Sequence, residues 1–156
     1  MGVVFVLLGA VQLTGLATGG RDAWAPLAHL TGEAHKKIAF KRIHSIAELD
    51  QTIAAARGRP VMLDFYADWC VACVEMEKLT FTDPAVSAKM QDILLLQVDV
   101  TANSADDKAL LKRFSLFGPP GIIFFDREGK ELQKPRVIGF QSPAVFLESL
   151  KQLDSP

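Results

Sequence analysis

The stretch YADWCVACVEME, Tyr66 to Glu77, holds both cysteines of the chain, Cys70 and Cys73, with two residues between them. A thiol pair at that spacing binds a metal, staples a fold or exchanges electrons with other thiols. Its surroundings bear on the choice. Upstream, PVMLDFYA (Pro60–Ala67) is a mostly apolar run of strand length, as expected for a strand buried on both faces. Downstream, a helix is expected to begin near Cys70 and run through TDP, where Asp83 caps and Pro84 takes the first position of a continuing or second helix. Cys70 thus falls between strand and helix, where unpaired backbone N–H groups and the helix dipole favour a thiolate. Cys73 lies one turn further on the same face, close enough to attack a mixed disulfide made by Cys70. Position therefore makes Cys70 the exposed nucleophile and Cys73 the resolving thiol.

Further out, the pattern is regular. KIAFKRI (Lys37–Ile43) alternates like a short strand, and SIAE (Ser45–Glu48) is a capping box opening a helix that Gly58 stops. ILLLQVDV (Ile93–Val100) is a second buried strand, and SADDKALLKRF (Ser104–Phe114) a helix with Ser104 as cap and acids in its first turn. GIIFFD (Gly121–Asp126), a turn at REGK and ELQKPRVIG (Glu131–Gly139) form a hairpin, with Pro135 placing its second strand at an edge. Ser142-Pro143 opens a last helix to about Leu153. Alternating elements of this kind imply an α/β domain, a parallel sheet covered by helices with an antiparallel hairpin at one side.

At 156 residues the chain suffices for one domain with a proper core, and its net charge of −1 excludes the basic footprint of a nucleic-acid binder. The basic cluster Lys36, Lys37, Lys41 and Arg42 reads as solvated surface. Two cysteines are too few for a disulfide framework, and so short a bridge constrains little of the unfolded chain. Zinc needs four ligands, and the chain offers two Cys with His29, His35 and His44. However, His29 and His35 sit in a connector, and the cysteines follow a buried strand instead of a knuckle turn. Redox chemistry fits better.

The first residues differ in kind. MGVVFVLLGAVQLTGLATGG carries no charge and reads as a membrane segment over residues 1–20, the end of a longer transmembrane region. A signal peptide lacks its basic n-region here, and the exit Gly19-Gly20 argues against a docked core helix. Residues 21–37 read as a linker and 38–156 as the folded domain.

DFYADWCVAC with FGPPG downstream resembles the thioredoxin superfamily. With EKLTFTDP, VDVTAN and FFDREGK, and with Val71-Ala72 between the cysteines, it resembles more narrowly the C-terminal domains of DsbD-type thiol:disulfide interchange proteins. The resemblance covers about Phe40 to Leu153. It implies a thioredoxin fold, a central mixed sheet flanked by helices, and a protein-disulfide reductase that needs no cofactor beyond its cysteines. It also implies a monomer attached to the bacterial inner membrane and facing the periplasm. Its partners are then a membrane domain that delivers electrons, a periplasmic N-terminal domain that receives them for isomerases and cytochrome c maturation, and protein disulfides as substrates. Pro120 becomes the cis-proline facing the thiols, and Pro119 the residue whose backbone pairs with the partner, although it has no N–H to donate. Asp64 and Glu77 correspond to acids near the thiols. Asp64 also stands out by itself, because a carboxylate in a buried strand is costly without a task or a partner. Trp69 is read as contact surface and Tyr66 as packing. A thiol oxidase or isomerase on the same fold, and a zinc-holding binding module, remain the alternatives.

Overall fold

The structure is a computed structural model that describes residues 2–4, 6–7, 38–56 and 58–154. By its contacts the chain divides into two units, Met1–Lys37 and Ile38–Pro156. In the first, residues 2–4 and 6–7 are helical. The remainder of the apolar segment 1–20, the linker 21–37 and both His29 and His35 lie outside the described residues. Among the described residues, no helix is long and apolar enough to cross a membrane.

The second unit is built on β2 (Val61–Tyr66), the centre of a five-stranded sheet in the order β1-β3-β2-β4-β5. Strands β1 (Lys41–Arg42) and β3 (Leu94–Asp99) run parallel to β2, while β4 (Gly121–Phe125) is antiparallel to it and β5 (Val137–Ile138) antiparallel to β4. The sheet is therefore mixed. Successive β2 residues serve opposite faces, which is why its sequence is apolar without alternation. Val61, Leu63 and Phe65 pack with Leu49 and Ile53 of helix α1 (Ile46–Ala55), with Leu110 of α4 (Ala105–Arg113) and with Phe114, which caps the C-terminus of α4. Met62 packs on the other face with Met76, Val86, Met90, Phe146 and Leu150. That second layer comprises the π-helical turn Met76–Thr80, which continues α2 (Val71–Glu75), with α3 (Pro84–Met90) and α5 (Pro143–Lys151).

The caps mostly sit where expected, with one register change. The Ser45 hydroxyl accepts from Glu48 N at 3.2 Å, but the Glu48 carboxylate reaches back to His44 N, not Ser45 N, at 2.8 Å. The full reciprocal box belongs to α4, between Ser104 and Asp107. Asp83 caps α3 by accepting from Ala85 N and Val86 N, with Pro84 at the first position. Two strands are shorter than their patterns: β1 keeps only Lys41–Arg42 of Lys37–Ile43, and β5 only Val137–Ile138 of Glu131–Gly139. Both are edge strands, where one flank has no neighbour to hold the ladder, and the cis peptide at Lys134–Pro135 lies outside β5. The helix from Cys70 does not run on unbroken. It widens into a π turn at Met76–Thr80, where Phe81 N donates to Met76 O five residues back.

Candidate active site

Cys70 closes the loop that leaves β2 and is the N-cap of α2; its Sγ accepts from Cys73 N at 3.2 Å. The two cysteines are joined by a disulfide, with Cα atoms 5.3 Å apart. Cys70 is 6% exposed and Cys73 4%. Cys70 is thus less open than its position at the helix start predicts, because its neighbours Trp69 (61% exposed) and Val71 stand outward while its own side chain turns in to its partner.

The register of the sheet brings the proline loop to this pair. Cys73 Sγ lies 3.8 Å from the carbonyl oxygen of Phe65, and Phe65 pairs with Gly121, the residue after Pro120. The Pro119–Pro120 peptide is cis, as the resemblance implied. A Cβ at Gly121 would stand 2.9 Å from both Leu116 methyls, so a larger residue there would make the Leu116 side chain shift within the apolar cluster it shares with the two cysteines. Pro120 O in turn accepts from Gly139 N at 3.1 Å, so exposed Ile138 and Phe140 flank the residue tied to the loop.

The sheet also carries a polar row that one strand read alone does not show. Arg42, Gln97 and Asp64 are register partners across β1, β3 and β2, so their side chains share a face. Gln97 Nε2 donates to Asp64 Oδ2 at 2.7 Å and to Glu77 Oε1 at 3.4 Å. Asp64 is 4% exposed and Gln97 2%. Burial pushes the Asp64 carboxyl up to about 7; the Gln97 hydrogen bond opposes this, the Glu77 charge adds to it and the Arg42 charge opposes it. Asp64 and Glu77, which the resemblance names together, therefore meet through Gln97. That residue escaped the sequence reading, and the available signal was a lone amide inside the buried run ILLLQVDV.

Arg42 is exposed, as its place in a basic surface cluster implies, yet it has partners. It pairs with Asp99 at 3.1 Å and lies over the Tyr66 ring, 5.7 Å from its centroid. Burial, then Asp68, Glu77 and Asp99, hold the Tyr66 phenol above its usual range.

Residues 47–154 match the thioredoxin-like domain family. The chain is 54% identical to the thiol:disulfide interchange protein DsbD of Ralstonia nicotianae, over 97% of this chain and 26% of that protein. It spans about a quarter of the length of the curated relatives it matches. Among solved structures it is 36% identical to the oxidised C-terminal domain of Neisseria meningitidis DsbD, with a TM-score of 0.61 over 73% of this chain and 98% of that one. The reduced form of that domain matches at 38% identity and a TM-score of 0.57, over 68% of this chain and 90% of that one. A thiol pair capping the helix after the central strand, a cis-proline loop paired against it and these likenesses agree: the chain belongs to the thioredoxin-like family and, within it, to the C-terminal domains of the DsbD thiol:disulfide interchange proteins.

Proposed function

We propose that this domain is a protein-disulfide reductase that relays two electrons through Cys70 and Cys73. The observation that carries this reading is the Cys70–Cys73 disulfide at the start of α2, in a chain of the DsbD family. In the reduced domain the Cys70 thiolate attacks one sulfur of a partner disulfide, a Cys70–partner bond forms, and the partner's other sulfur leaves as a thiolate. Cys73 then loses its proton and attacks Cys70 Sγ. The internal disulfide forms and the second partner sulfur leaves. Once the partner's thiolates are protonated, two electrons and two protons have reached it. The reverse sequence with a reducing dithiol restores the domain.

Each site residue has a part in this proposal. The N–H of Cys73 that points at Cys70 Sγ stabilises the attacking thiolate. Asp64 and Glu77 oppose it, because nearby carboxylates disfavour another negative charge. Asp64, half-protonated near neutrality, can exchange the proton that a thiol releases. Trp69, Pro119 and Pro120 form the surface on which the partner's polypeptide docks. Residues 1–20 attach the domain to the inner membrane and 21–37 link it, as a monomer, on the periplasmic side. Electrons then come from a membrane-embedded domain of the same longer protein and pass to its periplasmic N-terminal domain. This last part rests on the curated relatives being about four times the length of the chain.

The acid-rich surroundings favour a reductant over an oxidase or isomerase, since destabilising the thiolate lowers the reduction potential. The experiment is equilibration of the full chain against graded ratios of reduced and oxidised dithiothreitol, reading the Cys70–Cys73 state by mass. A potential well below about −120 mV is expected; one near that value marks a strong oxidant and overturns the reductase reading.

A further inference from the structure

The stretch VDVTAN, Val98–Asn103, supplies no thiol and no acid to the exchange itself, yet one of its residues holds the approach to Cys70. The parallel ladder of β2 and β3 ends with Tyr66 against Asp99, and Val100 N donates to Tyr66 O at 2.8 Å. Beyond that point the chain turns toward Cys70, and the next inward donor, Asp68 N, is received by a side chain: Thr101 Oγ1 accepts from it at 2.9 Å. The same hydroxyl donates to Asp99 Oδ1, which also accepts from Thr101 N at 3.0 Å. Its single proton is therefore committed to Asp99, leaving a lone pair for Asp68. The Thr101 carbonyl oxygen accepts from the Trp69 indole Nε1 at 3.4 Å. Asp99 is held from the far side by Arg42 at 3.1 Å. One residue thus grips both positions that precede Cys70, and the grip is anchored through Asp99 to β1.

We propose that Thr101 is a positioning residue for partner recognition: it holds the exposed Trp69 indole beside Cys70, so that a docking polypeptide disulfide meets a preformed contact. The physical reason is preorganisation. An unrestrained indole on the surface has to be immobilised during docking, and that loss of freedom opposes association. The thiol chemistry itself does not pass through Thr101, because the Cys73 N–H that faces Cys70 Sγ belongs to α2. The inference rests on the exchange reading above.

The test uses the full chain, reduced, and two oxidants: a synthetic cystine-bridged decapeptide and the small molecule hydroxyethyl disulfide. Thr101→Val is expected to lower the second-order rate with the peptide by at least about threefold and to leave the hydroxyethyl disulfide rate within about twofold. Thr101→Ser, which keeps the hydroxyl, is expected to restore the peptide rate. On a Trp69→Phe background, Thr101→Val is expected to cost nothing more: the valine keeps the carbonyl that receives the indole but loses the hydroxyl bonds to Asp68 N and Asp99 that fix its place, and without the indole donor that placement has nothing to hold. Equal losses with the two oxidants, full additivity with Trp69→Phe, or an unchanged peptide rate would each overturn the proposal. Should Thr101→Val fail to fold by circular dichroism, Thr101→Ala takes its place, because it likewise removes the hydroxyl that receives Asp68 N while adding no bulk. A selective loss with the peptide supports the proposal and no loss overturns it. A wild type inert toward both oxidants overturns the exchange reading and this inference with it, whereas an active wild type with indifferent variants overturns this inference alone.

Discussion

Asp64 and Gln97 are register partners on β2 and β3, and the Gln97 amide donates to the Asp64 carboxylate at 2.7 Å while also facing Glu77 at 3.4 Å. A neutral amide satisfies the buried acid without cancelling its charge, which a cation in the same place would do. The Asp64 carboxyl consequently sits at about 7. Gln97→Leu is expected to raise it further, because the hydrogen bond to the ionised form is lost. Glu77→Gln is expected to lower it, because a like charge is removed. Carbon-13 detected titration of the Asp64 carboxyl reads both, and movement in the opposite direction in either variant refutes the arrangement.

Stability should carry the mark of the same group. The folded value of about 7 lies above the ordinary 3.8, so the folded state binds the Asp64 proton more tightly than the unfolded chain does. The resulting stability is fully present below about pH 4 and is lost as pH rises through about 7. Asp64→Asn removes this dependence. Relative to wild type, the oxidised variant is expected to gain stability between pH 5 and pH 8, by an amount on the order of 1–3 kcal/mol. Urea denaturation at the two pH values checks it; a constant difference would show that Asp64 titrates normally.

The roles proposed for the thiol pair draw on the cap geometry, in which Cys73 N faces Cys70 Sγ while Cys73 packs against Phe65 O. Cys73→Ser is expected to accumulate mixed disulfides through Cys70, and Cys70→Ser to accumulate none. Mass spectrometry of the trapped species identifies the bonded sulfur. Finding Cys73 in it reverses the assignment.

Thiolate formation at Cys70 sets two effects against each other. The helix start favours the anion, whereas the proposed part of Asp64 and Glu77 is to disfavour it. Titration of the thiolate absorbance in the reduced domain is expected to show a lower Cys70 pKa in both Asp64→Asn and Glu77→Gln than in wild type. A rise or no change in Asp64→Asn defeats the idea that the acids restrain the nucleophile.

What could be read along the chain was whatever depends on near neighbours. PVMLDFYA and ILLLQVDV announce buried strands because each side chain reports its own face, and Ser104, Asp83 and Pro84 announce helix starts because a cap bonds residues two or three positions away. The spacing of Cys70 and Cys73 and the cost of a carboxylate at Asp64 were legible for the same reason. The cis peptide before Pro120 came from a family likeness and not from local chemistry.

Tertiary structure decided the rest. Gln97 meets Asp64 across 33 positions of sequence, Thr101 meets Asp68 across 33, and Arg42 reaches Asp99 only because β1 lies beside β3. Strand order and register create these contacts, and neither is encoded in the pattern of a single segment. The lengths of β1 and β5 depend likewise on having one neighbouring strand instead of two. The sequence alone therefore pointed to the thiol pair and to the buried carboxylate, because thiol and carboxyl groups bring their chemistry with them. The fold determined which residues govern it, because a hydrogen bond or a charge acts only over a few ångströms and the sheet selects what comes that close.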